Sequence, residues 1–227
     1  MTDKRRAFAA VVITVLACVV MAVVDGIIEP PYAVKSAVKL VLFVALPITY
    51  MISTGDEKFR LRFVPRGSAA VYGAALGAGV CIYAIIVGGY FLLRGVVDFS
   101  AVTTSLSEGE GVTRDNFIYV AVYISFVNSF CEELMFRGFS FGVLCDRASR
   151  RVAYVFSSVA FAVYHVAIMS GWFSPFMFVL LVAGLAAGGA IFDFVDDGAG
   201  TVYPSWIIHI FANLGINTVG LVLFGII

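Results

Sequence analysis

Residues 131–138 (CEELMFRG) place two adjacent carboxylates and an arginine inside an apolar run that begins near Asn116. Ionisable side chains at membrane depth are costly, so they usually face a bundle interior or a water-filled cavity. Glu133 and Arg137 are four residues apart, on one helix face, with the acid before the base, which is the favourable order for an ion pair. Glu132 points about 100° away. We therefore expect Arg137 to neutralise Glu133 and Glu132 to have no ionic partner.

Both histidines of the protein, His165 and His209, also fall within apolar runs. Asn213 follows His209 by four residues, so the two share a helix face. Phe161 precedes His165 by the same interval, where its ring can hold the imidazole in orientation. A glutamate, two histidines and an asparagine, without an activated serine or cysteine, suit the activation of a water molecule by a general base. The His209–Asn213 pair can offer two donors to a developing oxyanion. This combination indicates hydrolysis of an amide or ester inside the membrane.

Zinc chemistry is an alternative use of the same residues, because Glu132, His165 and His209 are side chains that Zn²⁺ accepts as ligands. No H-E-x-x-H motif is present, and the three ligands would come from three separate helices. Since a glutamate-activated water needs no metal, we expect no cofactor. The cysteines show no C-x-x-C spacing and are predicted to be unpaired thiols: Cys18, Cys81, Cys131 and Cys145.

The composition requires a membrane bundle to position these residues. The chain is 61% hydrophobic and 13% charged with a mean hydropathy of +1.00, whereas soluble domains are about 45–50% apolar and about 25% charged. We predict an all-α integral membrane protein that forms a single domain over residues 1–227, with no nucleic-acid partner. Apolar runs of about 20 residues cross the hydrocarbon layer. Seven are present, at about 7–28, 36–53, 68–93, 116–136, 152–170, 174–194 and 204–227.

The positions of lysine and arginine predict the orientation of the chain. With the N-terminus inside, eleven of these residues fall in inner segments and four in outer ones, namely Lys35, Lys39, Arg94 and Arg114. The positive-inside rule therefore predicts a multi-pass protein of the plasma membrane with a cytoplasmic N-terminus, and seven spans would leave the C-terminus outside. At 1.5 Å per residue, Glu132 would lie about 8 Å from the cytoplasmic end of its span. The other candidates also lie within about 20 Å of that side, so we expect a polar cavity in the cytoplasmic half of the bilayer.

Two other features of the spans predict where a carboxylate meets water and where helices pack closely. Asp193 lies near the end of the predicted sixth span, where its carboxylate is expected to reach water. Pairs of glycines with Gly-x-x-x-Gly spacing allow close approach of membrane helices. We expect such contacts at residues 73–77 and 184–188.

Three motifs, in their order and spacing, resemble the CPBP family, which comprises the CAAX prenyl endopeptidases and their bacterial relatives, often called Abi proteins. They are Glu132-Glu133-x-x-x-Arg137, Phe161-x-x-x-His165 and His209-x-x-x-Asn213. The resemblance covers a motif-bearing core of about residues 116–217. It implies an all-helical intramembrane protease, commonly with eight spans where hydropathy gives seven.

The resemblance also implies roles for these residues. Glu132, with His165, would orient and deprotonate the attacking water, and His209 with Asn213 would form the oxyanion site. Three further residues would support them: Glu133, Arg137 and Phe161. The expected partners are the lipid bilayer and a peptide or protein substrate, either lipidated or embedded in the membrane.

Two other classes of function stay open. A non-enzymatic immunity or scaffolding protein, which binds a peptide or a membrane partner, would keep its effect without the Glu132 carboxylate. A proton-coupled transporter would also use buried carboxylates and histidines. The sequence, however, lacks the internal repeat and the paired interrupted helices that often mark transporters.

Overall fold

The computed structural model describes residues 2–109 and 111–227, and the ordered elements within these residues are all helical. The helices are α1 (Asp3–Ile28), α2 (Tyr32–Thr54), α3 (Glu57–Leu61), α4 (Ala69–Leu93), α5 (Ser100–Thr104, continued by Ser105–Gly109), α6 (Phe117–Arg147), α7 (Arg150–Ile168), α8 (Pro175–Ala199) and α9 (Tyr203–Leu223). In this described part of the chain, seven helices are long and apolar enough to cross a membrane, all except α3 and α5. The predicted all-α membrane bundle is confirmed.

The spanning helices coincide with the seven predicted apolar runs, with one large difference. Helix α6 continues past position 136 to Arg147. The continuation lies inside the bundle, since residues 138–144 are all buried. Gly138 and Gly142 permit this packing, because a Cβ atom at either position would overlap the side chain of Phe63 or Arg62. A hydropathy count ends the span where Arg137 appears, but the arginine is buried and does not end the helix.

Helix α6 is the central element of the bundle. It packs against α1, α2, α7, α8 and α9, while α4 packs on the outside of α9. The ring of Phe136 on α6 is fully buried. It meets Phe43 of α2 and Phe161 of α7 edge-on, with centroids 5.5 and 5.4 Å apart. Such aromatic pairs add to the stabilisation that comes from buried area, so this cluster holds α2 and α7 against α6.

Close contact between α4 and α9 depends on glycines other than the predicted ones. Gly79 lies against the ring of Phe211, and Gly215 lies against Ile86. Among the described residues, no atom lies within 4 Å of where a Cβ would stand in the predicted pairs: Gly73, Gly77, Gly184 and Gly188. The expected contacts at these two pairs are therefore absent, because the spacing identifies a helix face but not whether another helix covers it.

Candidate active site

Three helices bring the predicted carboxylate and both predicted histidines together. Oε2 of Glu132, on α6, lies 3.9 Å from Nε2 of His165 on α7 and 3.6 Å from Nε2 of His209 on α9. Glu132 is 2% exposed, whereas the side chain of His165 is 19% exposed. These distances are longer than hydrogen bonds, so a water molecule between the three atoms could form hydrogen bonds with them.

The orientation of His165 is set by the helical turn before it. Its Nδ1 lies 2.7 Å from the carbonyl oxygen of Phe161, which can only accept a hydrogen bond, so Nδ1 carries the proton. The rings of Phe161 and Tyr164 stand edge-on to the imidazole, with centroids at 4.7 and 4.9 Å. In the neutral ring Nε2 is therefore an acceptor directed at Glu132.

The orientation of His209 is set by the second glutamate of the pair. Its Nδ1 lies 2.7 Å from Oε1 of Glu133, a side chain with no exposed area. Nε2 then points toward Glu132. One turn further along α9, Nδ2 of Asn213 donates to the carbonyl oxygen of Ile124 at 3.2 Å. This bond holds the carboxamide against α6 and leaves its second N–H for another acceptor.

The expectation that Glu132 has no ionic partner is wrong, because Lys39 pairs with it. Nζ of Lys39 lies 3.3 Å from Oε1 of Glu132 and donates to Oδ1 of Asn128 at 2.6 Å, while Nδ2 of Asn128 donates to the same Oε1 at 2.9 Å. The ammonium also lies 5.1 Å from the centre of the Tyr164 ring. Lys39, which the charge count places in an outer segment, lies within α2, which begins at Tyr32. Oε1 is thus fixed, and Oε2 is left for the histidines.

Next to Glu132 and the two histidines lies a second buried cluster, which is centred on Arg137. Its Nε is 3.5 Å from Oε2 of Glu133, at the predicted spacing, and 3.7 Å from Oδ1 of Asp193. Its guanidinium also stacks 4.2 Å from the ring centre of Phe161. Asp193 was expected to reach water, yet it is fully buried. The reason is that α8 continues to Ala199, so Asp193 does not lie at the end of its helix.

Two polar residues of this cluster were not predicted. Oγ of Ser205 lies 2.7 Å from Oε2 of Glu133 and 2.6 Å from Oδ2 of Asp196. Ser205 precedes His209 by one helical turn, and this spacing could have identified it. Asp196 lies beyond the end of the predicted span 174–194, so hydropathy placed it in a loop.

The position of Glu132 along its helix also differs from the prediction. Glu132 lies midway along α6, about 22 Å from either end at 1.5 Å per residue. The estimate of about 8 Å assumed that the helix ends at position 136, whereas α6 continues to Arg147. Glu132 therefore lies near the middle of this helix, and the placement of the site in the cytoplasmic half of the bilayer stays a prediction.

The three side chains that could bind zinc do not form a metal centre as arranged. In residues 2–109 and 111–227, no group of three or more His, Cys, Asp or Glu side chains is arranged to hold a metal ion. The Lys39 ammonium beside Glu132 would repel a divalent cation bound to the same carboxylate. Glu132, His165 and His209 as arranged therefore do not fit a zinc site. The four cysteines are free thiols, as their spacing predicts.

Comparison with known families supports the resemblance. Residues 114–215 match the family model described as type II CAAX prenyl endopeptidase Rce1-like. The matched segment is somewhat less than half of the chain, and it contains Glu132, His165, His209 and Asn213. No curated protein and no solved structure matches the chain. The match confirms the resemblance to the CAAX protease family and indicates a protease, and the seven apolar helices make the chain a multi-pass membrane protein.

Proposed function

On the premise that residues 114–215 carry the sequence of the Rce1-like CAAX endopeptidase family, we propose that this protein is an intramembrane endopeptidase that uses Glu132 as its general base. The observation that carries the proposal is the position of one oxygen. Oε2 of Glu132 faces Nε2 of both histidines, at 3.9 and 3.6 Å, in a buried site. A general base needs this kind of reach to the proton that it removes, directly or through one water.

The first step is activation of water. Oε2 of Glu132 and Nε2 of His165 are both acceptors, so a water between them donates one hydrogen to each. This arrangement directs a lone pair of the water oxygen toward the substrate. Glu132 takes one proton as the oxygen attacks the carbonyl carbon of the peptide bond. His165 keeps the second hydrogen in place and so orients the nucleophile.

The oxyanion that forms needs donors, and His209 and Asn213 supply them. The short contact between His209 Nδ1 and Glu133 Oε1 holds one proton. In the working form Nε2 carries a second proton, and Glu133 stabilises the resulting imidazolium. Asn213 contributes the N–H that Ile124 leaves free. Donors held in a buried site can be worth about 10²- to 10³-fold in kcat each.

The tetrahedral intermediate then breaks at its C–N bond. Glu132 returns the proton that it took from water to the leaving nitrogen, which departs as an amine. The carbonyl carbon keeps the water oxygen with its second hydrogen, which His165 had held, and is released as a carboxylic acid. Transfer of this hydrogen as a proton to the amine leaves a carboxylate and an ammonium group. All atoms and protons balance without a covalent enzyme intermediate, and no cofactor enters the cycle.

The substrate proposed is a peptide or protein that is lipidated or embedded in the membrane. The position of Glu132 midway along a helix long enough to cross a membrane supports this proposal, because a soluble peptide would have to enter the hydrocarbon layer to reach it. The matched family is described by its action on prenylated CAAX sequences, so a prenylated C-terminal peptide is the first substrate to test. We place the protein in the plasma membrane with its N-terminus in the cytoplasm.

The test compares wild type with E132Q, which keeps the shape of the side chain and removes the base. An internally quenched farnesylated CAAX peptide in detergent micelles measures cleavage, and mass spectrometry of cell membranes detects new peptide termini. We expect E132Q to fold and to lose cleavage in both assays. E57Q is the matched control, since Glu57 is exposed on α3. Full cleavage by E132Q would exclude Glu132 as the base, and a biological effect that survives E132Q without cleavage would favour an immunity or scaffolding role.

The same preparation tests the absence of a metal. We expect elemental analysis of active protein to show no stoichiometric zinc and a chelator to leave cleavage unchanged. Zinc that is lost together with activity would replace the proposed mechanism by metal-assisted hydrolysis at Glu132, His165 and His209.

A further inference from the structure

A chain of short hydrogen bonds runs from the interior of the bundle to His209. Asp196 Oδ2 lies 2.6 Å from Ser205 Oγ, Ser205 Oγ lies 2.7 Å from Glu133 Oε2, and Glu133 Oε1 lies 2.7 Å from His209 Nδ1. The backbone N–H of Ser205 also donates to Oδ1 of Asp196 at 3.1 Å. All four side chains are buried, and Ser205 and Glu133 have no exposed area.

The number of hydrogens in this chain is fixed by chemistry. A serine hydroxyl has one proton to donate, and besides a longer contact of 3.0 Å with the Val202 carbonyl oxygen, Ser205 Oγ makes short contacts with two carboxyl oxygens. One of these contacts must therefore hold a carboxyl proton. Glu133 faces the Arg137 guanidinium at 3.5 Å, which favours its ionised form. Asp196 has no cationic side chain within 4 Å among the described residues, so the proton belongs on Asp196.

The same assignment balances the charge of the buried cluster. In the proposed working form, ionised Glu133 and Asp193 carry two negative charges, and they face the two positive charges of Arg137 and a doubly protonated His209. With Asp196 neutral, the set has no net charge, which is what a site of low dielectric constant requires. Asp196 then donates to Ser205, and Ser205 donates to Glu133.

We propose that Asp196 and Ser205 are positioning residues for His209, which act through Glu133. Ser205 and Arg137 hold Oε2 of Glu133, so Oε1 is directed at Nδ1 of His209 and the imidazole is turned to present Nε2 to the reacting atoms. This role rests on the proposed function for its catalytic consequence. The arrangement itself can be measured without any substrate.

The kinetic test uses pairs of variants that separate shape from hydrogen bonding. S205A removes the bridge, whereas S205T keeps a hydroxyl. D196A removes the donor, whereas D196N offers Nδ2 in place of the carboxyl proton and Oδ1 to the Ser205 N–H. We expect S205A and D196A to lose up to about 100-fold in kcat with little change in KM, as misplacement of a catalytic group does. S205T and D196N should retain most of the activity.

The spectroscopic test uses the fact that the protein has only two histidines. Nitrogen NMR of histidine-labelled protein in micelles gives one set of ring signals for each, and H165Q assigns them. We expect S205A and D196A to shift the signals of His209 and to leave those of His165 unchanged, because His165 bonds to the Phe161 carbonyl. S158A is the control, since within the described part of the chain Ser158 Oγ bonds to carbonyls of its own helix and to no other group.

The outcomes separate this proposal from the proposed function. His209 signals that are unchanged in S205A would overturn the positioning role, whatever happens to activity. Equal damage from D196N and D196A would overturn the assignment of the proton to Asp196. If S205A does not fold, the D196A and D196N pair still decides. A wild type that cleaves nothing, but whose His209 signals respond as expected, would refute the endopeptidase and leave the hydrogen-bond chain intact.

Discussion

At the scale of single residues, the two oxygens of Glu132 have different surroundings. Oε1 accepts from Lys39 and Asn128, while Oε2 faces the two histidines. A carboxylate held on one side cannot rotate freely, so its second oxygen stays directed at the place where water is activated. Lys39 thus serves two purposes: it offsets the charge of a buried carboxylate, and it orients the base.

Replacing Lys39 by methionine tests this double purpose. Removing one partner of a buried ion pair costs about 3–5 kcal/mol, because the other charge is left uncompensated. We expect K39M to lower both the free energy of unfolding in detergent and kcat for the quenched peptide. Thermal unfolding and cleavage rates measure the two effects on one preparation.

A double variant distinguishes charge compensation from general damage. In K39M/E132Q neither charge remains, so the stability should recover most of the loss seen in K39M while activity stays absent. K58M is the matched control, because Lys58 is 61% exposed and pairs only weakly with Asp146. If K39M is as stable as wild type, the ion pair does not hold Glu132.

The sequence predicts the residues of the site that belong to the motifs, but not those that lie outside them. The motif spacings placed Glu132, His165 and His209 on three helices, and the structure brings them together. Lys39 could not be found this way, since it belongs to a helix outside the motifs and meets Glu132 only through packing. Asp196 was not predicted for a different reason: the hydropathy pattern ends its helix too early.

At the scale of elements, the length of α6 determines how far Glu132 lies from the ends of its helix. The helix continues past Arg137 because the arginine is neutralised by Glu133 and Asp193 and covered by aromatic rings. A hydropathy scale treats arginine as exposed to lipid, so it cannot anticipate a neutralised one. Apolar runs therefore predicted the number of spans correctly, and the internal ion pairs determined where this span ends.

The packing of this extension can be tested at Gly138. A Cβ atom there would overlap the ring of Phe63, in the segment that follows α3. Overpacking of this kind typically costs about 1–3 kcal/mol, so we expect G138A to lower the thermal unfolding temperature. G77A adds the same methyl group where no atom lies within 4 Å and should be neutral or slightly stabilising. Equal stability of the two variants would show that α6 and Phe63 are not in close contact.

At the scale of the whole molecule, the charge asymmetry becomes stronger once the helices are known. Lys35 and Lys39 lie within α2, so Arg94 and Arg114 are the basic residues left in the outer connections. The inner segments lose Arg137, which is buried within α6, and keep the others. Several of these join the ends of the bundle: Arg62 bonds to Asp146 at 2.9 Å, and Arg147 to Asp3 at 3.0 Å. The basic residues thus cluster at the end of the bundle where α6 stops and α7 begins.

This distribution predicts a cytoplasmic N-terminus, because connections rich in lysine and arginine are retained on the cytoplasmic side. We expect a membrane-impermeant maleimide to label R114C in intact cells and to label R60C only after permeabilisation, in a cysteine-free background. Both positions are exposed, so accessibility within the protein does not separate them. The reverse pattern would invert the molecule. The geometry of the site would be the same in either orientation.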